Sequence, residues 1–323
     1  MVIDAFAHLY PPAYLRHLQG RDRPLPVFVQ DTPAHTAGPF RVAELDRQGL
    51  DQQVLALGTP AFDDLFGTDQ TAANEAARVA NDSLAEVVAK HPDRLIGAAT
   101  LPLLTPEDCE PALAELERVL STLPLRAVQL YTTHSGLPLD HPGLGPLFAQ
   151  LAEAGLPILL HPTGGHYRGL TGDYLLWLTF GWPFETTLAM ARLVYAGVLE
   201  RWPQLMIVTH HLGAFVPSMA ARITGVTATL ARTKGWSLPE PVLAYFRRFY
   251  ADTAVNGFLP ALAAGREFFG AEHVLFGSDY PFVPIELSLR PVLDWDLPQP
   301  EKRLILGGNA QRLFSRRAER ANA

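Results

Sequence analysis

Several short apolar runs in this chain end in a histidine or an aspartate. IDAFAH ends on His8, and ILLHP carries His161 directly after an apolar stretch. IVTHHLG supplies His210 and His211, and VLFGSDYPF supplies Asp279 just past a glycine. Imidazole and carboxylate together suit a divalent cation such as zinc, and a site with open positions leaves room for water or substrate. Taken singly, each histidine is most simply a hydrogen-bonded core residue. If all of them meet at one place, a shared site becomes the better reading.

The elements around them supply such a meeting place. Apolar runs at Val2–Phe6, Gln53–Leu57, Leu95–Ala99, Ala127–Leu130, Pro157–Leu160, Met206–Thr209, Phe249–Ala251 and Val274–Phe276 alternate with longer stretches of helical period. Most are apolar on consecutive positions, as expected of parallel strands covered on both faces. AANEAARVANDSLAEVVAKH and PFETTLAMARLVYAGVLERW read as amphipathic helices, and TPEDCEPALAELERVL as a helix opened by its threonine. Eight such units predict an α/β fold of one domain over 1–323, a (β/α)8 TIM barrel. Small insertions at the C-terminal face are expected at 20–40, which is rich in proline and polar residues, and at 222–241, which is less regular. In a barrel, residues just past the C-terminal strand ends face the active site, where His8, His161, His210 or His211, and Asp279 would converge.

Composition narrows the partners. The chain has 323 residues, is 48% hydrophobic and carries a formal net charge of −7. It has no dense basic block, which argues against nucleic acid. Its single cysteine, Cys109, excludes an internal disulfide and fits a reducing compartment. No apolar run approaches the ~20 residues that cross a bilayer, and MVIDAFAHLYPP does not read as a signal peptide. A cytoplasmic enzyme with no membrane partner is the expectation.

IDAFAHLYPP, ILLHPT, WPFETTLAMARLVYAGVLERWPQLMIVTHHLGAFVP, YADTA, VLFGSDYPF and ILGGNAQRLF occur in order along the chain. Together they resemble the decarboxylase-type branch of the amidohydrolase superfamily, of the 2-amino-3-carboxymuconate-6-semialdehyde and γ-resorcylate decarboxylase kind. The resemblance implies a mononuclear zinc or manganese site with ligands from His8, His161 and Asp279. It implies proton transfer by a histidine after strand 6. His211 fits that role by lying six residues before Pro217, which would leave His210 as a strand residue. It further implies a homodimer in which Arg222 holds a substrate carboxylate across the subunit contact. The expected reaction is non-oxidative decarboxylation of a small aromatic or dienoic carboxylic acid, with Asp279 and His211 catalytic.

One position departs from this pattern. Phe6 stands where the branch places a first ligand two residues before His8, and a phenyl ring cannot coordinate a metal. Three readings are open: a three-ligand site with water in the gap, acid–base catalysis without metal, or a pocket kept only for binding. The same parts would also serve a hydrolase or hydratase acting on a lactone, amide or double bond, with water activated beside His211. Phe6, Tyr131 and His166 are expected to line the substrate pocket. Asp252 would either orient a catalytic group or cap the next helix, and Asp4 reads as a buried, hydrogen-bonded carboxylate.

Overall fold

The computed structural model describes residues 1–19, 32–163 and 168–315. Eight parallel strands succeed one another around a barrel in chain order: β1 (Ile3–His8), β2 (Gln52–Ala56), β3 (Leu95–Thr100), β4 (Ala127–Tyr131), β5 (Ile158–His161), β6 (Ile207–Thr209), β7 (Tyr250–Asp252) and β8 (Val274–Leu275). Ala5 N donates to Phe276 O at 2.8 Å, joining the first strand to the last. A helix comes after each strand: α1 (Gly38–Gln48), α2 (Gln70–Lys90), α3 (Glu110–Thr122), α4 (Gly145–Ala154), α5 (Trp182–Tyr195), α6 (Val216–Lys234), α7 (Leu259–Phe269) and α8 (Ile285–Asp294). All eight sequence-predicted strands are present, and β1 runs two residues further, to His8.

The continuous apolar runs reflect two cores, one on each face of the sheet. Val54, Ala56, Ile96, Leu159 and Val208 fill the barrel with Phe6, over a plug of Leu313 and Phe314. Their neighbours Leu55, Val128, Leu160 and Ile207 pack outward against the helices. Side chains alternate along a strand, so the core residues set which residues at the strand ends face inward. With Leu159 and Val208 inside, His161 and His210 come next on the inward row.

Two expectations need correction. TPED does not open a helix. Thr105 and Asp108 form an isolated bridge, and α3 begins at Glu110, with Pro111 in its first turn. Residues 222–234 are not irregular but continue α6, which is capped by Gly235 at φ 65°. Of the 20–40 stretch, 20–31 lies outside the described residues, and Gly38 onward forms α1. No helix among the described residues is long and apolar enough to cross a membrane.

A buried polar network fixes the end of β1. Asp4, fully buried, accepts from Ser278 N at 2.9 Å, Ser278 Oγ at 2.6 Å and Gln53 Nε2 at 2.7 Å. Arg41, equally buried, donates to Gln53 Oε1 at 2.8 Å, to Ala34 O at 2.7 Å and to the carbonyl of His8. The network ties β1 to β2 and to the turn after β8, so both ends of the barrel seam are held beside the site. Asp4→Ala strands buried donors on Ser278 and Gln53. Each such loss costs about 1–3 kcal/mol, so unfolding in urea should show a deficit of about 3 kcal/mol. An unchanged midpoint would contradict the structural role of Asp4.

Candidate active site and metal centre

Inward parity carries His8, His161 and His210 to the C-terminal mouth of the barrel, and all three are buried. One ring nitrogen from each lies within 4.8 Å of the other two, and a ligand atom from each of His210, His211 and Asp279 meets the same limit. His8 Nε2 stands 3.2 Å from Asp279 Oδ1, and His210 Nε2 stands 3.5 Å from the same oxygen. Neither contact has hydrogen-bond alignment, so both nitrogens of His8 and Nε2 of His210 are left without a partner.

The outer partners set the tautomers. His161 Nδ1 lies 2.7 Å from Pro162 O, an atom that only accepts, so the proton sits on Nδ1 and Nε2 keeps its lone pair. His210 Nδ1 is paired in the same way with a carboxylate oxygen of Asp252. The other Asp252 oxygen accepts from Ala254 N at 3.0 Å and Leu212 N at 3.4 Å. Asp252 therefore orients an imidazole and shapes the turn after β7. Buried polar atoms are rarely left unpaired. Imidazole nitrogens around a carboxylate, those of His161 and His210 each backed by an acceptor, are the donor set a divalent cation takes.

Loops hold this set in place. Glu185 of α5 accepts from Thr163 N at 2.9 Å, pinning the exit of β5 beyond His161. His211, Leu212 and Ala214 have φ of 54°, 57° and 52°, and Asp279 has φ of 63°. Non-glycine residues in this left-handed region carry local strain and cluster at functional sites. Gly213 completes the turn at φ 70°, where a Cβ would come within 2.6 Å of the Phe269 ring.

The electrostatics divide the two adjacent histidines. Burial pulls His210 down, but the Asp252 carboxylate outweighs it and lifts the imidazole to about 10. Burial, with His210 beside it, lowers His211 to about 3, and burial also drives His161 well below its ordinary value. Burial would raise Asp279, yet contacts from His210 and His8 hold it below the usual carboxylate range. In metal-free protein at neutral pH, His210 is an imidazolium, His161 and His211 are neutral, and Asp279 is a carboxylate.

A cavity of about 550 Å³ opens over Asp279 and His211, walled by Leu178, Trp182, Phe215, Val255 and Phe282. Among the described residues, no arginine or lysine lines it. A hollow of about 610 Å³ at the opposite end, beside Met1, Gln52 and Phe314, holds no histidine among the described residues that line it and has no comparable cluster. Residues 3–316 match the amidohydrolase family along almost the entire chain.

The chain belongs to the amidohydrolase family. It is 32% identical over 322 residues to 6-methylsalicylic acid decarboxylase of Penicillium expansum, covering 97% of this chain and 96% of that one. The crystal structure of 5-carboxyvanillate decarboxylase from Sphingomonas paucimobilis superposes with a TM-score of 0.87 at 26% identity, over 97% of this chain and 98% of that one. A dihydroxybenzoic acid decarboxylase from a Polaromonas species, solved with bound manganese and the inhibitor 2-nitroresorcinol, matches with a TM-score of 0.82 at 29% identity, over 97% and 96% of the two chains.

The sequence-predicted residues fall into different places within this amidohydrolase barrel. His8, His161 and Asp279 stand at the mouth, and His211 and Asp279 line the cavity. Phe6 lies beneath, fully buried, with its ring stacked on His210 at 4.2 Å between centroids. Tyr131 is buried with its ring 6.0 Å from His161, but its hydroxyl donates to Gly58 O at 2.7 Å. Arg222 is exposed on α6 and does not line the cavity, and His166 lies outside the described residues. The addition is His210, which the sequence reading leaves as a strand residue. The inward parity of Val208 is the signal that marks it out.

Neutral His161 and His211 have a consequence for stability. Unfolded histidines take up protons near pH 6.5, whereas these two stay neutral in the folded state, so their contribution is present above that pH and lost below it. His210 has the opposite sign, contributing fully below pH 6.5 and losing its share as pH rises toward 10. Chelator-treated protein should lose stability from pH 7 to pH 5, by up to about 1.4 kcal/mol per pH unit for each neutral histidine. His211→Asn should remove one share of that slope in denaturant titrations. A flat profile over this range would show that these imidazoles are not neutral.

Proposed function

We propose that the protein is a metal-dependent, non-oxidative decarboxylase of a small aromatic acid carrying a hydroxyl beside its carboxylate. The carrying observation is that Asp279 and His211 line one apolar-walled cavity directly beside the imidazole cluster. The flat walls given by Trp182, Phe215 and Phe282 suit an aromatic ring. The three named relatives are all decarboxylases, which favours this reaction over hydrolysis, hydration or simple binding.

His8, His161 and Asp279 are the proposed ligands for manganese or zinc. When bound, the ion would hold the carboxylate and adjacent hydroxyl and stabilise charge as the ring loses aromaticity. Asp279 takes the hydroxyl proton of the bound substrate and delivers it to the ring carbon that bears the carboxylate. The bond to CO2 then breaks, its electron pair restores the ring, and solvent reprotonates the phenolate. His211, kept neutral by its surroundings, accepts a hydrogen bond from the hydroxyl or from a water on the same path. The apolar walls exclude bulk water from the protonated ring. Phe6 supports the cluster from below, and Tyr131 packs beside His161 with its hydroxyl held by Gly58 O. Arg222 shares one face of α6 with the exposed Met219 and Val226, a face suited to a homodimer contact that would carry its guanidinium to the other copy's substrate.

Manganese-loaded protein should release CO2 from members of a panel including 2,6-dihydroxybenzoate and 6-methylsalicylate. Chelation should stop turnover and added metal restore it. Asp279→Asn should lower kcat by at least about a hundredfold, the usual contribution of a positioned acid–base group. Acid release from lactones with no CO2 from any hydroxybenzoate would sink the proposal.

A further inference from the structure

We infer that His210, oriented by Asp252, is itself a metal ligand and fills the coordination place that Phe6 cannot. The inference rests on the reading that a divalent ion occupies this cluster, and it changes which strands hold it. Three observations carry it. First, a nitrogen of His210 lies within 4.8 Å of ring nitrogens of both His8 and His161, and its Nε2 is 3.5 Å from Asp279 Oδ1. It thus stands among all three proposed ligands. Second, its Nδ1 is bonded to Asp252, which leaves Nε2, buried and with no hydrogen-bond partner, as the nitrogen that would exchange its proton for a cation. A ring backed by a carboxylate through one nitrogen and free at the other is the usual state of a metal-binding histidine. Third, the Phe6 ring stacks on the His210 ring at 4.2 Å with 18° between planes, and lies 5.6 Å from the His8 ring. A side chain at position 6 therefore reaches the same centre, and in this chain that reach is apolar. The ligand has moved from β1 to the end of β6, and Phe6 serves as the wall against which the replacement imidazole is packed.

The exchange separates two adjacent histidines by task. His210 points into the cluster and is fully buried, whereas His211 lines the cavity. Proton handling beside substrate falls to His211 and coordination to His210.

Metal binding alone tests this. Chelator-treated wild type, titrated with Mn2+ and followed by the electron paramagnetic resonance signal of the free ion, should take up one equivalent. His210→Gln should weaken binding by at least about a hundredfold, and Asp252→Asn by about 10- to 100-fold, the range for loss of such a partner. Phe6→His placed in His210→Gln should recover at least about tenfold of the lost affinity, because a nitrogen returns to the same centre. Circular dichroism checks folding. If His210→Gln does not fold, Asp252→Asn, which keeps the ring, carries the test. Wild type that binds no Mn2+, or a folded His210→Gln or Asp252→Asn protein that binds within about twofold of wild type, overturns the inference. The readout needs no turnover. Protein that binds Mn2+ as described but releases no CO2 would remove the decarboxylase reading and leave this one standing.

Discussion

The site depends on the bond between Asp252 and His210. A buried carboxylate beside a buried imidazole is costly to desolvate, and it persists because each satisfies the other. Asp252 at the end of β7 fixes the ring at the end of β6, directs Nε2 toward Asp279, and receives the backbone of the turn that presents His211. One interaction thus couples two strand ends, a ligand atom and the placement of the neighbouring cavity histidine. Without metal, the pair holds a proton. A cation would compete with that proton for the nitrogen, so loading and protonation are linked.

The barrel makes this economical. Its inward rows deliver His8, His161 and His210 from the ends of β1, β5 and β6 to one mouth, the turn after β8 adds Asp279, and rigid strands keep the nitrogens close. Polar networks then hold the strands in register. Asp4, Gln53 and Arg41 fasten β1 to its neighbours, and Glu185 secures the exit from β5. Strain collects where the chain leaves the barrel, in the left-handed residues at 211–214 and at Asp279. Those are the positions that must turn a side chain sharply toward the cavity.

Much of this is legible in the sequence because burial on both faces of a parallel sheet writes long apolar runs, and polar residues at their ends stand out. The eight strands and the gathering of His8, His161 and Asp279 come from that contrast. His210 escapes it because two adjacent histidines give no local cue to which one points inward. Only the parity of Val208, one strand deep in the barrel, distinguishes them. Phe6 shows as a gap, but a single chain does not reveal compensation from another strand, which depends on contacts across the barrel. Tyr131 sits beside His161 as a pocket residue should, yet its hydroxyl is committed to Gly58. Threonine, proline and two acids at 105–108 satisfy every local rule for a helix start, and a turn takes them instead.

The proposed chemistry stands on a divalent ion held by imidazoles from three strands, with His210 among them. Anomalous diffraction from crystals of the manganese-loaded protein would locate that ion without recourse to activity. The geometry predicts one strong peak at the barrel mouth within bonding distance of His8, His161, His210 Nε2 and Asp279, with Phe6 outside its ligand sphere. A peak that leaves His210 bonded only to Asp252, or no peak from crystals grown in saturating manganese, would contradict it.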